Sequence, residues 1–130
     1  MLGRILLTAD AFVLTVGTLK ADYFSVTHLF NPNWPPHAKF HNAQTVFLAV
    51  ILSAMTLFYT WRKAPTPQLR REFTRMAALS GSIYWIAGML AILPPETMGV
   101  DPEFGGPAFP QGWLFLGCAV AAVVSPWLES

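Results

Sequence analysis

The sequence predicts an all-α integral membrane protein, folded as an up-down-up-down four-helix bundle. Hydrophobic residues make up 54% of the 130-residue chain and charged residues only 12%, about half the charged share of a soluble domain. The apolar residues fall into four segments, each near the roughly 20 residues needed to cross a bilayer. A lone span satisfies its backbone hydrogen bonds in lipid only as a helix. Residues 1–130 are expected to form a single domain.

The first two spans are predicted at about residues 2–24 and 37–61. The first is expected to be a retained anchor, because Asp10 interrupts the apolar run and no convincing cleavage site follows. The second begins just after Pro35 and Pro36, and proline is well suited to the first turn of a helix.

The third and fourth spans are predicted at about residues 73–93 and 110–128. Pro94 and Pro95 end the third span, and the fourth is the shortest. Small residues let helix backbones approach closely in a membrane. They predict a packing face on each of these spans, formed by Ala77, Gly81 and Gly88 on the third and by Gly117 and Ala121 on the fourth.

The distribution of basic residues predicts the orientation. Six of the eight lie on one side of the predicted spans: Arg4, Arg62, Lys63, Arg70, Arg71 and Arg75. The positive-inside rule therefore places both termini in the cytoplasm, with loops 25–36 and 94–110 on the outer face. The basic loop is expected to set this topology and to contact anionic headgroups.

All three histidines lie in residues 28–41, between the first two spans. His37 and His41 are four residues apart and should share a helix face, where neutral imidazoles suit proton transfer or metal binding. A turn at Asn31-Pro32 can bring His28 toward them. The predicted catalytic residues are His37 and His41, oriented by His28 and Asp22. The predicted substrate-binding residues are Trp34, Phe40, Asn31 and Gln44.

No cofactor is predicted, and a metal ion is the alternative left open. If zinc binds, the ligands should be His28, His37 and His41, as in catalytic sites that keep one open position. The spacing of eight and then three intervening residues is not a strong zinc signature. In a third interpretation, these histidines and Trp34 simply anchor the loop at the headgroups.

Several carboxylates are candidates for work beside the histidines. Asp22 precedes His28 closely enough to orient its ring. The long loop 94–110 contributes Glu96, Asp101 and Glu103, and loops of this length are often functional. Asp10 lies within the first span and should face the interior beside a partner; Ser80, Ser82 and Tyr84 are the candidate partners.

Residues 27–41, with the pattern T-H-x-F-N-P-x-W-P-P-H-A-x-F-H, resemble the signature of a family of small, uncharacterised four-span membrane proteins. That family implies no reaction. In architecture alone the chain also resembles the sterol isomerase and sigma-2 receptor group. Members of that group place acids and histidines in a membrane cavity that takes lipophilic amines and sterols. This second likeness concerns the fold only.

The leading functional hypothesis is a membrane enzyme for acid–base chemistry on a lipophilic substrate, as an isomerase, cyclase or hydrolase. One alternative is a non-catalytic accessory subunit that docks to a larger membrane complex or to its own copies. Another is a small transporter or proton pathway, suggested by Asp10. A net charge of +1 argues against nucleic-acid binding. The single cysteine, Cys118, excludes an intrachain disulfide.

Overall fold

A computed structural model describes residues 1–129, and its framework is four long α-helices without a strand in that range. The all-helical prediction is therefore confirmed. The helices are α1 (Leu2–Thr18), α2 (Pro36–Trp61), α3 (Pro67–Leu90) and α4 (Gly112–Leu128). A π-helical turn, Leu19–Tyr23, extends α1, and a short 3₁₀ turn covers Pro102–Phe104 in the loop before α4.

The helices pack in chain order around a ring, each beside the next and α4 beside α1. Neighbours run in opposite directions. The indole N–H of Trp61, at the end of α2, donates to the Thr8 hydroxyl near the start of α1, over 2.9 Å. Likewise Arg4 in α1 lies 2.6 Å from Glu129, just beyond α4. We call this end, with residues 62–66, the basic end, and the opposite end, with residues 24–35 and 91–111, the histidine end.

Proline and threonine set the helix starts. α2 begins at Pro36, as the sequence predicts. α3 begins at Pro67 rather than near residue 73, because the Thr66 hydroxyl accepts from the Leu69 N–H and caps the first turn. The first turns of α3 therefore carry the arginines of the basic loop.

Two helical segments, Leu2–Tyr23 and Pro36–Trp61, are long and apolar enough to cross a membrane by length and composition. α4 is a shorter apolar helix of 17 residues. The basic first turns of α3 dilute its hydropathy. Length and hydropathy together thus support two of the four predicted membrane spans.

The interior of the bundle mixes small and hydroxyl-bearing residues with a few large apolar ones such as Leu7, Leu14 and Trp85, whereas most of the outside is large and apolar. Buried positions between the helices include Ala49, Ala77 and Ala122 together with Ser53, Thr56, Ser80, Ser82 and Ser125. Most of these hydroxyls donate to carbonyls of their own helix, as Thr56 does to Leu52 and Ser125 does to Ala121. Exposed positions include Phe47, Ile51, Leu79, Ile83, Leu116 and Val120.

The predicted small-residue packing face is confirmed on α3 and is wrong for Gly117. A Cβ added at Gly81 would lie 2.9 Å from Asp10 Oδ2, and one at Gly88 would lie 2.5 Å from the Phe115 ring. Around Gly117 nothing lies within 4 Å of that position. The α3–α4 contact instead uses Ala119 and Ala122, which are buried.

Candidate functional site

A cavity of about 600 Å³ opens at the histidine end, among the ends of all four helices and both of the adjoining loops. Its volume lies within the roughly 300–1,000 Å³ typical of small-molecule sites. Aromatic rings of Trp34, Trp85, Phe104 and Phe115 form much of the wall. The polar side chains that line it are Thr18, Asp22, Thr27, His28, Asn42, Thr45, Tyr84, Asp101 and Gln111.

Asp22 is the centre of the polar group in this cavity. It lies in the π-helical turn that ends the first helical segment, a local geometry often found at functional sites. One carboxylate oxygen lies 3.8 Å from His28 Nε2, and the other accepts from the Tyr84 hydroxyl over 3.4 Å. Both distances are longer than tight hydrogen bonds, and catalytic contacts often tighten when substrate binds.

His28 is held by its own loop. Its Nδ1 lies 2.7 Å from the Thr27 hydroxyl, which lies 2.7 Å from the Ser25 hydroxyl. Its ring meets Trp34 edge to face, with centroids 5.3 Å apart. If Nε2 carries the proton toward the Asp22 carboxylate, Nδ1 is left to accept from the Thr27 hydroxyl. In that tautomer the donors run from Ser25 through Thr27 to His28, whose Nε2 faces Asp22.

The long loop is fastened over the histidine loop by Glu103. Its carboxylate accepts from the side-chain amides of Asn31, over 2.7 Å, and Asn33, over 3.2 Å. Asn31 is 1% exposed, and its Oδ1 accepts from the Asn33 backbone N–H. Its role in the structure is to hold the two loops together. Of the three loop acids considered from the sequence, Asp101 lines the cavity and Glu103 fastens the loop.

Asp10 lies directly below the cavity wall. It is 4% exposed, and its Oδ1 accepts from the indole N–H of Trp85 over 2.7 Å. The prediction that Asp10 faces the interior is confirmed, but the partners predicted from the sequence are wrong. Ser80 and Ser82 donate to carbonyls within α3, and Tyr84 reaches Asp22 instead. Within residues 1–129, Asp10 Oδ2 has no hydrogen-bond partner.

His37 and His41 do share a face of α2, with their Nε2 atoms 3.0 Å apart. That face is exposed and does not line the cavity. Phe40 stacks parallel to His37, and Gln44 Oε1 lies 3.3 Å from His41 Nδ1. The structure thus separates these four predicted site residues from Asp22, His28 and Trp34, which lie together in the cavity. The separation arises because the first turns of α2 direct Asn42 and Thr45 toward the cavity, whereas His37 and His41 lie on the exposed side of the helix.

The three imidazoles do not converge. In the described part of the chain, no group of three or more histidine, cysteine, aspartate or glutamate side chains is placed to hold a metal ion. His28 is drawn toward Asp22 and Thr27, whereas His37 and His41 contact each other. The predicted zinc ligand set has no counterpart in this geometry.

Sequence reasoning missed the contributions of α3 and α4 to the cavity. Tyr84 was considered only as a partner of Asp10, and Trp85, Gln111 and Phe115 were not considered. A signal for Tyr84 does exist in the sequence. Tyr84 lies toward the C-terminal end of the third span, and Asp22 lies at the C-terminal end of the first. Because the first and third spans of an up-down-up-down bundle run in the same direction, both residues fall toward the same end.

Comparisons with known proteins place the chain in a family but not in a functional class. No curated protein matches the chain. No solved structure matches it either. The model of one protein family matches residues 6–126, which is nearly the whole chain and includes the cavity and all four helices. The chain therefore belongs to the family described as Family of unknown function (DUF6640).

Proposed function

We propose that the chain is an integral membrane protein in which all four helices cross the bilayer. The support is the distribution of polar and apolar residues. Serines, threonines and Asp10 are buried, whereas many large apolar side chains are exposed, unlike in a water-soluble protein. In water that outer surface would far exceed the apolar patches that monomeric proteins tolerate. The exposed residues of α3 and α4 include Leu79, Ile83, Ile86, Leu116, Val120 and Val123, so these helices also present a lipid-compatible face.

The cavity at the histidine end is proposed to bind a lipophilic small molecule and to act on it by acid–base chemistry. One observation carries this proposal: His28 and Tyr84 both approach the Asp22 carboxylate at the wall of a cavity lined in part by aromatic rings. A hydrophobic wall with a few convergent polar groups is the usual form of a small-molecule site. The basic end supports the orientation that places this cavity at the outer face.

In the proposed mechanism Asp22 accepts a proton from one atom of the bound substrate and returns it to another atom, while His28 orients the carboxylate. The Tyr84 hydroxyl donates to the carboxylate, the His28 imidazole lies beside it, and Thr27 fixes the imidazole. Removing a proton at one atom and returning it at another isomerises or cyclises a substrate without a co-reactant. The same pair activates water in a hydrolysis. Such groups typically contribute about 10²–10⁴-fold to the rate.

The proposal is tested by comparing lipid extracts of cells that lack the protein with those of cells complemented by variants. Asp22→Asn keeps the size of the side chain but removes its basicity. His37→Gln is the control, because His37 is a histidine of the same segment that lies outside the cavity. A lipophilic metabolite should accumulate in the deletion and with Asp22→Asn, but not with wild type or His37→Gln.

Two outcomes contradict the proposal. In one, Asp22→Asn restores the wild-type lipid profile, which removes Asp22 from the chemistry. In the other, His37→Gln behaves like the deletion while Asp22→Asn does not, which moves the site to the exposed histidine pair. Retention of each variant in the membrane fraction is measured alongside, so that loss of folding is distinguished from loss of activity.

A further inference from the structure

A second cavity, of about 270 Å³, lies at the basic end, far from Asp22. The first turns of α3 supply Arg70, Arg71, Thr74 and Arg75, and the end of α4 supplies Trp127 and Glu129. Residues 70 and 74, and likewise 71 and 75, are one helical turn apart. Three arginines of α3 therefore line one concave site, which the end of α4 closes on the other side.

The charge of this cavity is positive. Glu129 also lines it, but its carboxylate is already paired with Arg4, whose Nε lies 2.6 Å from Oε1. Its other oxygen lies 2.7 Å from the amino nitrogen of Met1. Arg75 pairs with Glu72 over 2.8 Å, while Arg70 donates to the Arg62 carbonyl over 3.3 Å. A guanidinium has five N–H donors, so each of these arginines keeps donors for a ligand.

We propose that this cavity binds a phosphate monoester, carried either by an anionic lipid headgroup or by a small soluble molecule. A planar arginine side chain can donate two parallel hydrogen bonds to a pair of phosphate oxygens. This favours an anionic phosphate over a neutral ligand. The volume of about 270 Å³ is below the roughly 300–1,000 Å³ of sites that enclose drug-sized molecules. It suits a compact phosphate group.

The test uses native mass spectrometry of the purified full chain, titrated with phosphatidic acid and, as reference, phosphatidylcholine. Arg71→Gln removes a guanidinium that lines the cavity. Lys63→Gln removes an equal charge from the same end at an exposed position outside the cavity.

Phosphatidic acid should bind in preference to phosphatidylcholine. Its affinity should fall by about tenfold with Arg71→Gln, because a hydrogen bond to a charged group is lost. It should fall less than about twofold with Lys63→Gln, since an exposed charge that does not line the cavity is screened.

A second arm replaces the lipid with glycerol 3-phosphate, added to protein in phosphatidylcholine nanodiscs. Binding of the soluble monoester with the same loss in Arg71→Gln identifies a soluble ligand, and binding of the lipid alone identifies a headgroup site. The inference is overturned if neither phosphate compound binds above the phosphatidylcholine reference. It is equally overturned if Arg71→Gln and Lys63→Gln weaken binding by the same factor, which would reflect general charge attraction.

Discussion

At the scale of single residues, Asp22 and His28 approach each other at the wall of the cavity, whereas His37 and His41 contact each other on an exposed face of α2. The pairing of Asp22 with His28 follows from their closeness in the chain, and the structure places them 3.8 Å apart. The emphasis on His37 and His41 came from their helical spacing, which fixes that they face each other but not toward what. Their direction depends on how α2 is rotated against its neighbours. That rotation is set by Val46, Ala49 and Leu52, which are buried.

The bond between Trp85 and Asp10 is a residue-scale prediction about stability. Trp85→Phe removes the indole N–H that Asp10 accepts over 2.7 Å, and leaves a buried carboxyl group without that donor. The midpoint of unfolding in detergent should fall, corresponding to a loss of roughly 1–3 kcal/mol. Trp113→Phe is the control, because Trp113 is 81% exposed. Equal midpoints for the two variants would show that the bond contributes nothing.

The ion pair at the basic end predicts a pH dependence. Burial raises the pKa of Glu129, but the hydrogen bonds from the Met1 amino group and the Arg4 backbone N–H, with the Arg4 charge, outweigh it and leave the pKa below its usual value. A lowered folded-state pKa adds stability that is present above the unfolded pKa and is lost as pH falls through the folded pKa. Glu129→Gln should therefore destabilise the protein near neutral pH, by about 1 kcal/mol, and much less in acid.

Thermal unfolding between neutral pH and pH 3 measures this difference. Glu72→Gln is the matched control, because Glu72 also pairs with an arginine but is 53% exposed, and exposed pairs contribute little. A constant difference between wild type and Glu129→Gln across this range would contradict the assignment of the effect to the ionised carboxylate.

At the scale of helices and loops, composition predicted the elements well and their contacts less well. Apolar runs bounded by prolines located all four helices, since length and hydropathy report directly on spans. The start of α3 was missed because its first turns are basic and look like a loop, although Thr66 and Pro67 give a capping signal. The fastening of the long loop by Glu103 required a contact across 72 residues to Asn31, which no local pattern reports.

The α3–α4 contact yields a prediction at this scale. Gly88→Ala would place a methyl group 2.5 Å from the Phe115 ring, and overpacking of this kind typically costs about 1–3 kcal/mol. Gly117→Ala adds the same methyl group to open space on α4. There it should be neutral or raise stability by up to about 1 kcal/mol, because alanine is the better helix former. Unfolding midpoints measured side by side decide the matter, and destabilisation by Gly117→Ala alone would refute this packing.

At the scale of the whole molecule, the bundle buries hydroxyl-bearing residues and Asp10 among apolar ones, exposes large apolar side chains, and has two unlike ends. The low charged fraction predicted the exterior. Neither cavity was predictable as a volume, because each forms where ends of several helices meet. The sequence placed the right residue types at each end, and the tertiary structure decided which of them share a space.

Topology is tested with single cysteines in a Cys118→Ala background. Val26→Cys lies at the histidine end and Lys63→Cys at the basic end, and both positions are exposed. In sealed vesicles with the cytoplasmic side outward, a membrane-impermeant maleimide should label Lys63→Cys at once, as the positive-inside rule requires. Val26→Cys should be labelled only after permeabilisation. Equal labelling of both without detergent would argue against a spanning bundle.

The proposed chemistry is the transformation of a lipophilic molecule by Asp22 and His28 in the cavity at the histidine end. Its most direct measurement is turnover, by purified protein in nanodiscs, of the metabolite that accumulates in cells carrying Asp22→Asn. Wild type and His37→Gln should convert it at similar rates, and Asp22→Asn should be slower by about 10²–10⁴-fold. Conversion at one rate by all three proteins, or a loss confined to His37→Gln, would contradict the claim.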